Sequence, residues 1–160
     1  MSDKASWDIT TSATPSYNKS TKKTQSTNTT TSGITYYGYI KDKAGRTNKC
    51  EIWFKLDKTK PYCKLTTSGT VGNDNWYTSN VSVSFVSGKG NTGDDLSGTA
   101  SYGIDSVTGS KTASHTTDTK SVTYTGHIKD NAGNTNTCSI KFKRDASVPS
   151  CTPSKSHQYH

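Results

Sequence analysis

The chain has no apolar run long enough to cross a membrane, and Met1 leads into the polar stretch SDKASWDI, not into a leader-like apolar segment. Membrane insertion is therefore not expected. The sequence is read as a piece of a longer exported protein or as a chain that leaves the cell by another route. Glutamate occurs once, at Glu51, and the one adjacent acidic pair is Asp94-Asp95 in GDDLSG. A glycosidase needs two carboxylates flanking a cleft, so that pair is read as a solvated loop. His115, His127, His157 and His160 form neither HxH nor HExxH. There is no G-x-S-x-G elbow, no phosphate-binding loop and no dinucleotide fingerprint. Nothing has helical apolar spacing over a useful length. The absences exclude the common enzyme architectures and lead to a non-catalytic chain, with no cofactor and no metal expected.

What is present is polar but patterned. The hydrophobic fraction is only 28%, a value that suits disorder, yet nine Tyr, three Trp and four Cys stand at alternating or repeated positions. Val81, Val83 and Phe85 alternate with serines, the period of a half-buried strand. The same alternation runs through Ala100, Tyr102 and Ile104, through Val122, Tyr124, Gly126 and Ile128, and through Cys138, Ile140 and Phe142. Cys63 and Leu65 begin a short fifth strand. The fold class is all-β. Residues 10–33 are polar, with Tyr17 as their one sizeable anchor. The net charge of +8 is scattered: Lys41, Lys43, Lys55, Lys141, Lys143 and Arg144 fall along strands and their ends, where cations on solvent faces and edges block edge-to-edge pairing. A basic balance also suits an acidic glycan or wall polymer. No aromatic-flanked basic motif is present, so nucleic acid is not read as a partner.

Residues 38–63 recur at 126–151 without a gap. GYIKDKAGRTNKCEIWFKLDKTKPYC becomes GHIKDNAGNTNTCSIKFKRDASVPSC, with Cys50 and Cys63 each moved by 88 positions, to Cys138 and Cys151. A near-copy at that offset means tandem copies of one module. Within each copy a hairpin turn is closed by glycine, Gly45 or Gly133, and capped by aspartate, Asp42 or Asp130. Calcium held by Asp130, Asn131 and Asn134 is the functional alternative for that turn, but three oxygen donors fall short of the usual six to eight. Asp57 and Asp145, each four residues before a proline, mark a stiffened joint, and a calcium-rigidified joint would need more carboxylates than the joint supplies. The two C-x12-C pairs are too widely spaced for a zinc knuckle.

A proline-tyrosine-cysteine opening, then GNDNWYTSNVSVSF, DDLSGTASYGI and KDNAGNTNTCSI, and an Asp-x-x-x-Pro-x-Cys exit together resemble the bacterial immunoglobulin-like repeats carried in tandem by surface proteins of Gram-positive bacteria. The resemblance covers 57–151 as a whole module and 5–56 as part of another. It implies an immunoglobulin-like β-sandwich in tandem, with 1–56 an incomplete module lacking its N-terminal strands, 57–151 complete, and 152–160 a tail or the start of a further module. In that arrangement the first and last strands are neighbours, which implies a Cys63–Cys138 disulfide and leaves Cys50 and Cys151 unpaired or intermolecular. The connectivity Cys50–Cys63 with Cys138–Cys151 stays open. The implied function is a non-catalytic extracellular spacer or adhesin module at the cell surface, with neighbouring modules or copies of itself as partners. Two alternatives stand beside it. One is a module binding glycan or acidic wall polymer through Trp76 and Tyr77. The other is a subunit of a filament or virion appendage completed by strand exchange.

Overall fold

The repeated sequence builds the same β-hairpin twice. The structure, a computed structural model that describes residues 4–154, runs β1 (Lys4–Thr10), β2 (Ile34–Asp42), β3 (Thr47–Phe54), β4 (Leu65–Ser68), β5 (Trp76–Tyr77), β6 (Val81–Phe85), β7 (Thr99–Ile104), β8 (Thr112–His115), β9 (Thr119–Asp130) and β10 (Thr135–Arg144). The β2–β3 and β9–β10 turns stand at equivalent positions of the two copies. No α-helix occurs among the described residues, and the one helical element is a short 3-10 turn at Asn73–Asn75. No helix is long and apolar enough to cross a membrane among these residues. Residues 155–160, with His157, His160 and most of the expected tail, lie outside the described residues.

The chain divides into two compact units. Among the described residues, 4–61, 93–100 and 129–135 form one, and 62–92, 101–128 and 136–154 form the other. The units do not coincide with the two sequence copies, because the 93–100 loop and the 129–135 turn group with the first.

In the second unit, sheet β4-β6-β8 and sheet β5-β10-β9-β7 share one core. Leu65, Val81 and Val83 come from the first sheet, and Ile104 and Phe142 from the second. Alternation decides which residues enter: Val81 and Val83 are fully buried while Ser82 between them is exposed. Burying each such side chain contributes about 1.5–3 kcal/mol. Aromatic rings fill the rest. Tyr124 stacks on Phe142 at 5.9 Å, Tyr77 meets Phe142 edge-on at 5.7 Å, and Phe85 meets Tyr102 edge-on at 5.1 Å. The first of these sheets is antiparallel, and in the second the short β5 pairs with β10 in parallel; two such layers over one apolar interior give a β-sandwich arrangement. Arg144 departs from the solvent-facing role expected of strand cations. It is buried, with its guanidinium paired to Asp118 and donating to Ser79 O and Asn80 Oδ1. A buried cation persists only when paired and hydrogen-bonded in this way.

In the first unit, β1-β2-β3 form one antiparallel sheet. Cross-strand register puts Trp7 with Ile40, Ile9 with Gly38, Gly38 with Cys50, and Tyr36 with Ile52. One face of this sheet is therefore apolar, as the matching face is in the second copy. There the face is covered by Leu65, Val81 and Val83. Here Ile52 is 63% exposed and Ile40 41% exposed. The polar segment 11–33 makes no strand but is tied down: Ser16 donates N–H and Oγ–H to Asp8 Oδ2, Thr29 N–H donates to Leu56 O at 2.9 Å, and Tyr36 Oη donates to Gln25 Oε1 at 3.0 Å.

Candidate functional site

The two hairpin turns adopt the expected chemistry. Gly45 and Gly133 have φ of +87° and +96°, where a side chain would be strained. The Asp42 carboxylate accepts the Arg46 N–H at 2.9 Å, and the Asp130 carboxylate accepts the Asn134 N–H at 2.8 Å. Both acceptors reach four residues forward.

Cys63 and Cys138 form a disulfide with Cα atoms 5.5 Å apart, and Cys50 and Cys151 are free and exposed. The bridge joins two layers, not two hydrogen-bonded neighbours. Cys63 lies just before β4, and Cys138 lies on β10 of the other sheet. Glycine makes the room. A Cβ on Gly126 would stand 3.1 Å from Cys138 Sγ and 2.8 Å from Phe85 Cε1, and a Cβ on Gly38 would stand 2.7 Å from Cys50 Sγ. The slot for a sulfur is thus built in both copies, filled by a disulfide in one and by an open thiol in the other. A disulfide of this kind forms and persists in oxidising compartments.

Trp76 and Tyr77 sit side by side on β5 and so point to opposite faces. Tyr77 joins the core and shares a hydrogen bond between its Oη and Thr67 Oγ1 at 2.9 Å. Trp76 is half-buried under the Lys143 ammonium, 4.8 Å above its ring. The two rings are not brought together on one surface.

The carboxylates that sequence reading treated one at a time are brought together. Asp57, Asp94 and Asp130 each present a carboxylate oxygen, and these oxygens lie within 4.8 Å of one another. All three residues belong to the first unit. Asp130 is fully buried. Local hydrogen bonds fix each group. Asp94 Oδ1 accepts the N–H groups of Leu96, Ser97 and Gly98 at 2.9, 2.7 and 3.0 Å. Burial pushes the Asp94 carboxyl up, and those N–H groups outweigh it and bring it below its ordinary value of 3.8. Asp57 Oδ1 accepts Thr59 N–H and Asn28 Nδ2–H, while its Oδ2 is buried with no hydrogen-bond partner. Asn134 Nδ2 donates to Asp130 Oδ2 at 2.8 Å and to Asp57 O at 3.1 Å, and Asn131 donates to Ser97 O at 2.9 Å. The Asn131 and Asn134 amides thus serve as donors around the cluster. Asp94 is not a solvated loop residue, whereas its neighbour Asp95 is exposed. Asp145, the counterpart of Asp57 in the second copy, is exposed and accepts the Ser147 N–H instead.

Comparison with known proteins finds no matching family model, no matching curated protein and no matching solved structure.

Proposed function

We propose that this chain is a non-catalytic, load-bearing extracellular module of the immunoglobulin-like kind, repeated in tandem to space or carry other domains at a cell surface. The strand order supports the immunoglobulin-like reading. Sheet β4-β6-β8 follows the A-B-E order of a constant-type sandwich and β7, β9, β10 follow C-F-G, with no counterpart of strand D among the described residues. The observation that carries the functional reading is the Cys63–Cys138 bridge, with a sequence separation of 75. It ties the opening of the second copy to its last strand. Tension entering near Cys63 leaves through Cys138 and bypasses everything between. A spacer benefits from such a bypass, whereas the bridge gives no evident advantage to a catalyst. The test is single-molecule extension of the full chain, oxidised and reduced. A loop of that size adds about 250–270 Å when it opens, at 3.3–3.6 Å per residue, and that step belongs to the reduced chain only.

A second reading, assembly of copies of this chain, rests on the open apolar face of β1-β2-β3. The occupant would be residues 149–154 of another copy, in which Pro149 and Cys151 repeat Pro61 and Cys63. Cys151 would then approach the exposed Cys50 as Cys63 meets Cys138. A reducible ladder of multimers lost in Cys50→Ser and in Cys151→Ser supports this reading. A monomer at high concentration with both thiols alkylated removes it.

A further inference from the structure

We propose that Asp57, Asp94 and Asp130 form a binding site for a divalent calcium ion. The donors are all carboxylate oxygens with no histidine or cysteine among them, which selects a hard cation over zinc or copper. The spacing agrees with the size of the ion. Calcium–oxygen distances of about 2.3–2.6 Å allow two ligands on opposite sides of the ion to stand about 4.8 Å apart, and the three oxygens lie within 4.8 Å of one another. Each carboxylate supplies one ligand oxygen, since the other oxygens of Asp57 and Asp94 are taken up by N–H donors, and water completes the shell.

Two observations beyond the spacing of the three oxygens point to a cation. The first is Asp57 Oδ2, shielded from solvent and accepting no hydrogen bond. A buried carboxylate oxygen without a donor is costly, and a bound cation removes that cost. The second comes from the two copies of the turn. In the first copy Asp42 is neutralised by the Arg46 guanidinium, Nε to Oδ2 at 2.8 Å. In the second copy Asn134 stands where Arg46 stood, and the carboxylate it meets, Asp130, is fully buried. Among the described residues, no ion pair reaches Asp57, Asp94 or Asp130. The turn with asparagine in place of arginine is the one that meets Asp57 and Asp94.

The arrangement is also preorganised. One oxygen of Asp94 takes three backbone N–H bonds, and one oxygen of Asp57 takes the Thr59 N–H. Asp130 is held by the Asn134 N–H and side-chain amide. Donors of this sort aim a ligand.

The site rests on these residues alone and does not depend on the load-bearing role. The test is calcium titration of the chelator-treated full chain by isothermal calorimetry at neutral pH, with thermal unfolding alongside. Expected is one site, half-saturated between about 0.1 and 1 mM as in other extracellular calcium modules, and a rise in the unfolding midpoint that magnesium at equal concentration does not reproduce. Asp57→Asn and Asp94→Asn each weaken binding at least about tenfold while keeping the Cys63–Cys138 linked peptide and the β-type circular dichroism spectrum. Asp145→Asn leaves binding unchanged. No binding at ten times the upper end of that range overturns the proposal, and so does an equal response to magnesium. Undiminished binding in a folded Asp57→Asn chain overturns it as well. If the cluster is satisfied by shared protons instead, calcium leaves the midpoint where it was, and that result is also fatal.

Discussion

Removing the disulfide is the perturbation whose size follows most directly from the structure. Cys63→Ala with Cys138→Ala releases a loop spanning a sequence separation of 75. The chain-entropy relation sets the loss at about 4.5 kcal/mol, as an upper figure. The unfolded chain is more compact than the relation assumes, which reduces the loss. A net loss of about 2–4 kcal/mol is therefore expected. For a unit of this size that lowers the unfolding midpoint by roughly 8–32 °C, at about 4–8 °C per kcal/mol. The assay is denaturant unfolding followed by tryptophan fluorescence and circular dichroism, beside wild-type protein and a Cys50→Ala, Cys151→Ala control. The control should unfold as wild type does, since both thiols are free and exposed. An unchanged midpoint in the Cys63, Cys138 double variant refutes the reasoning, because it means the bridge constrains nothing. So does a control variant that falls as far.

Gly126→Ala should cost about 1–3 kcal/mol by overpacking, since the new methyl meets Phe85 Cε1 at 2.8 Å and Cys138 Sγ at 3.1 Å; denaturant midpoints measure it. Gly133→Ala has open space around it and suffers only from its φ of +96°, so about 1–2 kcal/mol is expected there. Acid should destabilise the fold. The Asp118 carboxyl is held low by the Ser147 hydroxyl and the Ala146 N–H, Asp8 and Asp42 by the N–H groups of Ser16 and Arg46, and Asp94 by the balance described above. Each binds its proton less readily folded than unfolded. Their contribution is complete above the ordinary value of 3.8 and is lost as pH falls through the lowered values. Thermal midpoints between pH 6 and pH 2 should drop in that window, and a flat profile there contradicts the carboxylate hydrogen bonds.

Much of the fold was legible because it is written in local alternation. Val81, Val83 and Phe85 announce β6, and the 126–151 repeat announces a hairpin that recurs. The turn glycines and their aspartates could be read because a positive φ and a nearby acceptor are local demands. Strands β5 and β8 were not legible. The first has two residues, and the second, TASH, carries no apolar alternation, so only pairing with β6 holds it as a strand. Arg144 was misread as a surface cation because its partner, Asp118, is 26 residues away. The carboxylate cluster was missed for the same reason. Asp57, Asp94 and Asp130 are separated by more than thirty residues at each step, and each alone resembles a turn or joint residue. The one usable signal was the exchange of Arg46 for Asn134 between copies, which removes a cation from beside a retained aspartate. Resemblance and strand register together indicated the Cys63–Cys138 pairing, although the bridge crosses between sheets and does not run along one.

The claim that this chain carries load is tested most directly by pulling it. A single full-length molecule, held by its two ends, should show no extension step from within the 63–138 loop while oxidised. After reduction it should gain about 250–270 Å of contour, the length of that loop at 3.3–3.6 Å per residue. The same step in the oxidised molecule, or its absence after verified reduction, contradicts the account.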